Sequence, residues 1–189
     1  MNITLSIPKS YEDITVKEYK DIRTIIGSEQ SEQEKALGLI GMLCRADKEQ
    51  LKHIKHSDME AVLRQLNWIY NEPDTRQELI RTFEMNGKKY GFIPNMSELT
   101  IAEFADLDTY SSNGYENLEH MMAVLYRPIT EWYKDFYEIE RYNHIKHHHV
   151  KMQEMPMNVA MSAMVFFYNI ERELVTDLGN SLETTNPPN

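Results

Sequence analysis

The sequence predicts an α+β protein, mainly helical, with about six helices and a small antiparallel sheet. Apolar residues recur at helical spacing in several segments, and an Asn-Gly pair between two apolar runs is typical of a β-hairpin. One pattern also occurs twice, at residues 14–22 and 99–107, which we name repeat 1 and repeat 2. Each repeat follows an extended apolar stretch that ends in Ile-Pro, so the duplicated unit is expected to be a strand, a proline, a short loop and a helix.

The first predicted element is a strand at the N-terminus. Ile3, Leu5 and Ile7 alternate with polar residues, which is the period of two expected when one face of a strand meets a core. Pro8 would end the ladder of hydrogen bonds, because proline has no N–H to donate. We expect this strand to form the small sheet together with the hairpin.

Both repeats predict the start of a helix. A Thr at the N-cap position is followed three residues later by a Glu, Thr15 with Glu18 and Thr100 with Glu103. In this capping box the hydroxyl accepts a hydrogen bond from an orphan amide, while the carboxylate accepts one from the N–H of the cap. The helix after repeat 1 is expected to end at Gly27.

Three further helices follow from apolar periodicity. One begins near Ser31, one follows a third capping box at Ser57 and Glu60, and one covers residues 118–125 before an Arg-Pro pair. The helix of repeat 2 is expected to run to about residue 110.

A hairpin is predicted over residues 79–93. The Asn86-Gly87 pair tolerates the positive φ angles of a type I′ turn, and in the resulting register Phe83 faces Tyr90 across the strands.

Residues 128–142 allow two interpretations, since Trp132, Tyr133, Phe136 and Tyr137 suit a helix, whereas residues 137–142 alternate as in a strand. Beyond them, Pro156 fits the first turn of a long helix that reaches about residue 182. Its first turns are apolar nearly all round, so it is expected to be central or shared with a partner.

We expect two modules in one compact unit. The first, residues 1–78, contains the N-terminal strand and helices, and the second, residues 79–183, contains the hairpin and further helices. Residues 184–189 are expected to form a disordered tail.

Composition argues against two classes of partner. The 189 residues carry a formal net charge of −10, which disfavours nucleic-acid binding through a basic surface. The longest apolar run, residues 157–168, is shorter than the roughly 20 residues of a membrane span, and no signal peptide is visible.

Cys44 has no second cysteine to pair with and continues an apolar helical stripe, so we expect a buried thiol in a reducing compartment.

The sequence predicts no enzyme and no cofactor, because it contains no nucleophile elbow, phosphate-binding loop or dinucleotide fingerprint. Four histidines, at positions 144, 147, 148 and 149, include pairs at the spacing of two metal ligands on one helix face. Neither Cys nor the His-Glu-x-x-His pattern accompanies them, so a solvated basic loop is the preferred interpretation and no metal site is predicted.

Charge is distributed unevenly along the chain. Residues 90–126 contain six carboxylates but no Lys or Arg, while residues 141–151 contain Arg141, Lys146, Lys151 and the four histidines without a carboxylate. Two solvated faces would explain this pattern, as would head-to-tail contact between subunits or docking of a basic partner.

Methionine clusters suggest contact residues. Methionine often fills irregular cores, but it is also common on surfaces that accept varied apolar partners. The residues predicted to bind a partner are Met121, Met122, Met161, Met164, Phe166 and Phe167.

Several phrases together resemble virion-morphogenesis proteins of tailed bacteriophages, including crAss-like phages, of the type called tail assembly chaperones. The phrases are Ile7-Pro8-Lys9-Ser10, Asp13-Ile14-Thr15, Glu18-Tyr19, Gly91-Phe92-Ile93-Pro94, Leu107-Asp108-Thr109-Tyr110, Met122-Ala123-Val124-Leu125-Tyr126-Arg127-Pro128-Ile129, Met155-Pro156-Met157 and Phe166-Phe167-Tyr168-Asn169.

The resemblance implies a non-enzymatic protein that binds phage tail components, either the tape-measure or the tube protein, in the host cytoplasm during assembly. A permanent virion part, such as a ring or connector subunit that contacts copies of itself, is the alternative. A host-directed phage inhibitor is a third.

Overall fold

The computed structural model describes residues 5–71, 76–134, 136–143, 148–167 and 169. Within them the chain is 56% helical and 14% strand and forms an α+β fold, as the sequence predicts. The helices are α1 (Val16–Gly27), α2 (Glu32–Leu43), α3 (Lys48–Leu51), α4 (His56–Gln65), α5 (Ile101–Ser111), α6 (Leu118–Leu125), α7 (His148–Met152) and α8 (residues 157–167). Short 3₁₀ turns precede or connect them at Tyr11–Asp13, Asn67–Tyr70, Met96–Glu98 and Gly114–Asn117.

The capping boxes of the two repeats are both present. Thr15 and Thr100 each accept a hydrogen bond from the backbone N–H of the Glu three residues on, and each Glu accepts one from the N–H of its cap. Ser31 and Glu34 form the same arrangement at α2.

The capping box predicted at Ser57 and Glu60 is wrong. Helix α4 begins one residue earlier, at His56, and its N-cap Lys55 makes no side-chain cap. Ser57 already lies inside the first turn of α4. Its hydroxyl is therefore not at the N-cap position, from which it could accept a hydrogen bond from an unpaired backbone N–H of that turn.

The sheet has four antiparallel strands in the order β1 (Thr82–Met85), β2 (Lys88–Phe92), β3 (Tyr126–Trp132) and β4 (Tyr137–Ile139). Asn86 and Gly87, with φ of 52° and 70°, form the predicted turn between β1 and β2. Phe83 pairs with Tyr90, and their rings stack at 5.3 Å between centroids.

The predicted N-terminal strand is not part of this sheet. Residues 5–9 are described and form no strand, while residues 1–4 lie outside the described residues. Strands β3 and β4 take its place beside the hairpin, since β3 pairs antiparallel with β2 on one side and with β4 on the other. The predicted strand within residues 137–142 is therefore confirmed at β4, Tyr137–Ile139. The alternative prediction, a helix containing Trp132 and Tyr137, is wrong, because these residues lie in β3 and β4.

One hydrophobic core joins segments from both predicted modules. Buried residues of α1, α2 and α4 belong to the same cluster as those of α6, β2 and α8. The largest fully buried side chains include Ile22, Phe92, Tyr126 and four methionines that lie between positions 152 and 161. Helix α8 is thus central over its described turns; its predicted continuation to about residue 182 and the tail at 184–189 lie outside the described residues.

Candidate functional site

Three of the predicted contact residues are in the core. Met121, Met122 and Met161 are 8%, 0% and 1% exposed, because α6 and α8 both pack their apolar faces inward. They cannot contact a partner in this conformation, and for them the alternative, methionine as core filler, is the better interpretation.

The other three predicted contact residues lie on α8 and are half-buried. The rings of Phe166 and Phe167 lie 5.5 and 6.4 Å from that of Phe92, and Met164 packs against the same core. Much of their surface therefore serves the fold, and the structure directs attention to other exposed side chains.

The repeats extend further than their nine-residue patterns. In repeat 1 the capped helix is followed by α2, and in repeat 2 it is followed by α6. Two residues after the end of α2 or α6 the chain has an arginine, and this arginine approaches the Glu of the capping box. In repeat 2, Arg127 Nη2 lies 2.7 Å from Glu103 Oε1, and both side chains are more than nine-tenths buried. In repeat 1, Arg45 Nη2 lies 4.0 Å from Glu18 Oε1, and Arg45 is 83% exposed.

Glu103 stays ionised in this setting. Burial raises the pKa of its carboxyl, but the hydrogen bonds from Thr100 and the charge of Arg127 outweigh burial, so the pKa lies below its ordinary value. Burial lowers the pKa of the Arg127 guanidinium, although its ordinary value is so high that the group remains charged at neutral pH. Repeat 2 is therefore held by a buried ion pair, and repeat 1 by a solvent-exposed one.

Repeat 1 is covered by other parts of the chain. The bridging segment, residues 153–157, runs across the start of α1: the N–H groups of Val16 and Lys17 donate to the carbonyls of Met155 and Gln153, at 2.9 and 3.0 Å. The N–H of Met157 in turn donates to the carbonyl of Ile14 at 2.8 Å.

Aromatic rings cover the next turn of α1. Tyr19 packs edge-on against Tyr115, at 5.3 Å between centroids, and against Tyr11 at 6.0 Å. As a result Val16 and Tyr19 are 0% and 5% exposed.

The equivalent positions of repeat 2 are uncovered. Ile101 stands where repeat 1 has Val16, and Phe104 stands where it has Tyr19, yet these side chains are 90% and 64% exposed. They are three residues apart and so lie on one side of α5, which we name the α5 face. Two large apolar side chains exposed together on one side of a helix make this face a candidate contact surface.

The surroundings of the α5 face are acidic, though less than the sequence predicts. Of the carboxylates in residues 91–126, Glu103 and Glu119 are buried and paired with Arg127 and Lys20, the latter at 2.7 Å. Glu98, Asp108 and Glu116 remain exposed. Three of the six carboxylates are therefore exposed, Asp106 is half-buried, and the other two form ion pairs within the fold.

A second exposed apolar patch lies where β3 meets β4. Trp132, Tyr133 and Phe136, which we name the aromatic hairpin, are 55%, 38% and 57% exposed. The rings of Tyr133 and Phe136 stack at 4.4 Å, and Lys89 Nζ lies 5.5 Å from the centre of the Trp132 ring. Aromatic residues of this kind are enriched in the centres of protein interfaces.

The histidine region is more ordered than a solvated loop where it is described. His148 and His149 begin α7 and are half-buried, and the His149 ring stacks on that of His120 at 4.1 Å. His144 and His147 lie outside the described residues. Among the residues with described positions, no group of three or more His, Cys, Asp or Glu side chains is arranged to hold a metal ion.

Sequence reasoning missed both the α5 face and the aromatic hairpin. The repeats carried the signal for the first: aligned on their capping boxes, they show matched apolar positions, but nothing local says which copy is covered. For the second, the four aromatic residues between positions 132 and 137 are compatible with a helix or a strand, and their pattern does not indicate whether they are exposed.

Comparisons of the chain with protein-family models, with curated proteins and with solved structures give no match. In the described part of the chain, no helix has the length and apolarity needed to cross a membrane. The functional argument therefore depends on the exposed surfaces themselves.

Proposed function

We propose that this chain is a non-enzymatic bacteriophage morphogenesis protein of the tail assembly chaperone type, which binds a tail component through the α5 face in the host cytoplasm. The observation that carries the proposal is the contrast between the repeats: one capped helix is covered by residues of its own chain, and the same side of the other is open. The phage context comes from the sequence resemblance described above.

The covered repeat indicates what the open one would bind. At repeat 1 the bridging segment, with the buried apolar side chains of Met155 and Met157, lies across the helix start and exchanges backbone hydrogen bonds with it. A partner segment of similar character would cover Ile101 and Phe104 in the same way. Because Glu98 and Asp108 are exposed nearby and no Lys or Arg occurs in residues 91–126, a segment that also carries basic residues would fit best.

The experiment measures binding of purified tape-measure and tube proteins of the same virus to the wild-type chain and to a variant carrying I101S and F104S. Both side chains are exposed, so the variant should keep the circular dichroism spectrum of the wild type. Because buried aromatic and aliphatic anchors dominate interface energies, we expect affinity to fall at least about tenfold.

The matched control is Val150→Ser, which removes an apolar side chain that is 53% exposed on α7. This change should leave binding unaltered. If the double variant binds as tightly as the wild type while Val150→Ser also has no effect, the α5 face is not the contact and the proposal is wrong.

One observation favours the alternative, a ring or connector subunit of the virion. Within the described segments, the α5 face and the aromatic hairpin are exposed apolar patches on different elements, and two unlike patches are what head-to-tail contact between copies needs. In that case light scattering should show a closed oligomer that either Phe104→Ser or Trp132→Ser dissociates, and mass spectrometry of purified particles should find the chain. A chaperone should be monomeric or dimeric and missing from finished virions.

A further inference from the structure

A pocket of about 190 Å³ lies where the turn at Tyr11–Asp13, α1, the turn at Asn67–Tyr70 and the turn at Gly114–Asn117 meet. It is smaller than the pockets that hold drug-sized molecules, so its size suits a ligand of a few carbon atoms or the last residue of a peptide. It is distinct from the α5 face, because its lining lies on other elements.

Tyrosine rings form much of the pocket wall. Tyr19 is buried and packs edge-on against Tyr11 and Tyr115, whereas Tyr70 is 60% exposed. The buried side chain of Ile69 adds an aliphatic surface to these rings. A short hydrocarbon stem can therefore bury apolar surface in this pocket.

Arg23 supplies the charge of the pocket. Among the described residues that line it, Arg23 is positively charged and none is a carboxylate. Its guanidinium lies over the Tyr115 ring, with Cζ 5.8 Å from the ring centroid, and makes no hydrogen bond or ion pair within the described segments. The side chain is exposed, so a ligand that enters the pocket from solvent can reach its N–H groups.

The contrast with Arg127 shows why Arg23 is available to a ligand. The guanidinium of Arg127 is buried and already paired with Glu103 at 2.7 Å. Arg23 has no such carboxylate from its own chain, and stacking on Tyr115 limits the orientations of its guanidinium. Less freedom is therefore lost when Arg23 binds a ligand.

The lining discriminates among charged ligands. An organic ammonium ion would suit the aromatic rings, but Arg23 would repel it. Arg23 would attract phosphate, but phosphate has no apolar surface to place against Tyr70 and Ile69, and the net charge of −10 opposes a dianion more than a monoanion. A carboxylate on a short apolar stem matches both the guanidinium and the apolar wall.

We propose that this pocket binds a carboxylate on a short apolar stem, with the carboxylate oxygens accepting two hydrogen bonds from the Arg23 guanidinium and the stem packed against Tyr70 and Ile69. Two sources present this chemistry: a free short-chain acid, and the C-terminal residue of a protein that ends in leucine or valine. The site is independent of the α5 face, so the two proposals can fail separately.

The test titrates the ¹⁵N-labelled full-length chain with isocaproate, isocaproamide and inorganic phosphate, and follows the backbone amides of Tyr70, Asn71 and Tyr115. Isocaproamide has the shape of isocaproate without its charge, and phosphate has the charge without a stem. We expect saturable shifts with isocaproate and at least about tenfold weaker affinity for the other two probes. Equal affinity for isocaproate and isocaproamide, or tighter binding of phosphate, would overturn the proposal.

A peptide separates the two sources. N-acetyl-Ala-Ala-Leu with a free C-terminus carries the same stem and carboxylate as isocaproate. Tighter binding of the peptide than of isocaproate assigns the pocket to a protein C-terminus, and the reverse order assigns it to a free acid. If neither compound produces a saturable shift, the proposal is wrong.

Variants locate the site. Arg23→Gln removes the charge from an exposed side chain and should weaken isocaproate binding at least about tenfold. The matched control Arg45→Gln removes the charge of an arginine that is 83% exposed and does not line this pocket, and it should leave binding unaltered. Undiminished binding to folded Arg23→Gln would place the acid elsewhere and overturn the proposal.

Discussion

At the scale of single residues, the two capping-box glutamates have the same local role but different surroundings. Glu103 is 95% buried as a side chain and pairs with a buried arginine, whereas Glu18 is 23% exposed and approaches an arginine that is mostly in solvent. Breaking a buried pair leaves an uncompensated charge, but breaking an exposed pair leaves a charge that water can hydrate. Two nearly identical sequence positions should therefore differ widely in their effect on stability.

Glu103→Gln should destabilise the chain by about 3 kcal/mol, because Arg127 would keep its charge in a buried site without a counter-ion. Glutamine retains an oxygen for the cap, so the loss reports on the ion pair. Urea denaturation followed by circular dichroism would measure the free energy of unfolding.

The matched control is Glu18→Gln, for which we expect a loss below about 1 kcal/mol. If both substitutions cost the same, the capping role explains both, and the buried pair contributes nothing of its own.

His120 predicts how stability depends on pH. Burial lowers the pKa of this imidazole, and the neighbouring His149 and Lys20 lower it further, while Glu119 acts in the opposite direction. Between pH 6.5, the ordinary pKa of histidine, and the lower pKa of folded His120, the unfolded chain binds the proton more readily. The stability contributed by neutral His120 is thus present above pH 6.5 and is lost as the pH falls through this window.

We expect His120→Gln to flatten the decline in unfolding free energy as the pH falls below 6.5, because glutamine cannot take up the proton. A wild-type profile with no decline in this window would contradict the prediction.

At the scale of elements, the sheet depends on one close approach between β2 and β4, which lie on either side of β3. Gly91 in β2 lies beneath the ring of Tyr137 in β4, whose hydroxyl donates to the carbonyl of Phe92 at 2.8 Å. A Cβ on residue 91 would lie 2.8 Å from Cδ2 of Tyr137 and closer still to Cε2. Because the hydrogen bond fixes the ring, the side chain cannot move aside without losing it.

Gly91→Ala should therefore cost about 1–3 kcal/mol, the usual penalty for overpacking. Gly27→Ala is the matched control, since a Cβ there meets nothing within 4 Å and the backbone is at the end of α1. It should be neutral or slightly stabilising. Thermal unfolding would measure the melting temperatures of both variants. Equal melting temperatures would show that β4 can shift to accept the added Cβ without a cost in stability.

At the scale of the whole molecule, the bridging segment links the C-terminal part of the chain to the start of α1. The first amides of a helix normally have no partner within the helix. At α1 those of Val16 and Lys17 are satisfied by residues 153–157, whereas the amides of Ile101 and Ala102 at α5 have no acceptor in the described segments. The two repeats differ in long-range contacts, although their local sequences agree.

Amide hydrogen exchange should reveal this difference. We expect the amides of Val16, Lys17 and Met157 to exchange together and at least about tenfold more slowly than those of Ile101 and Ala102, because their release requires the bridging segment to separate from α1. The second repeat serves as the internal control, and two-dimensional NMR measures all five amides in one sample. Equal rates at the two helix starts would contradict the bridge.

The sequence by itself determined the local features of this protein: the capping boxes of α1, α2 and α5, the Asn86-Gly87 hairpin with its facing Phe83 and Tyr90, and the apolar stripes of the helices. Each depends on residues within a few positions of one another or directly across a two-stranded turn, so local physics decides it.

Only the tertiary structure decided which repeat is covered, which methionines enter the core, that Arg127 pairs with Glu103, and that residues 126–139 complete the sheet. These outcomes depend on segments that are distant in sequence, such as residues 153–157 on α1. Burial is a property of what packs against a side chain, and an apolar residue at helical spacing has the same pattern whether a distant segment covers it or not.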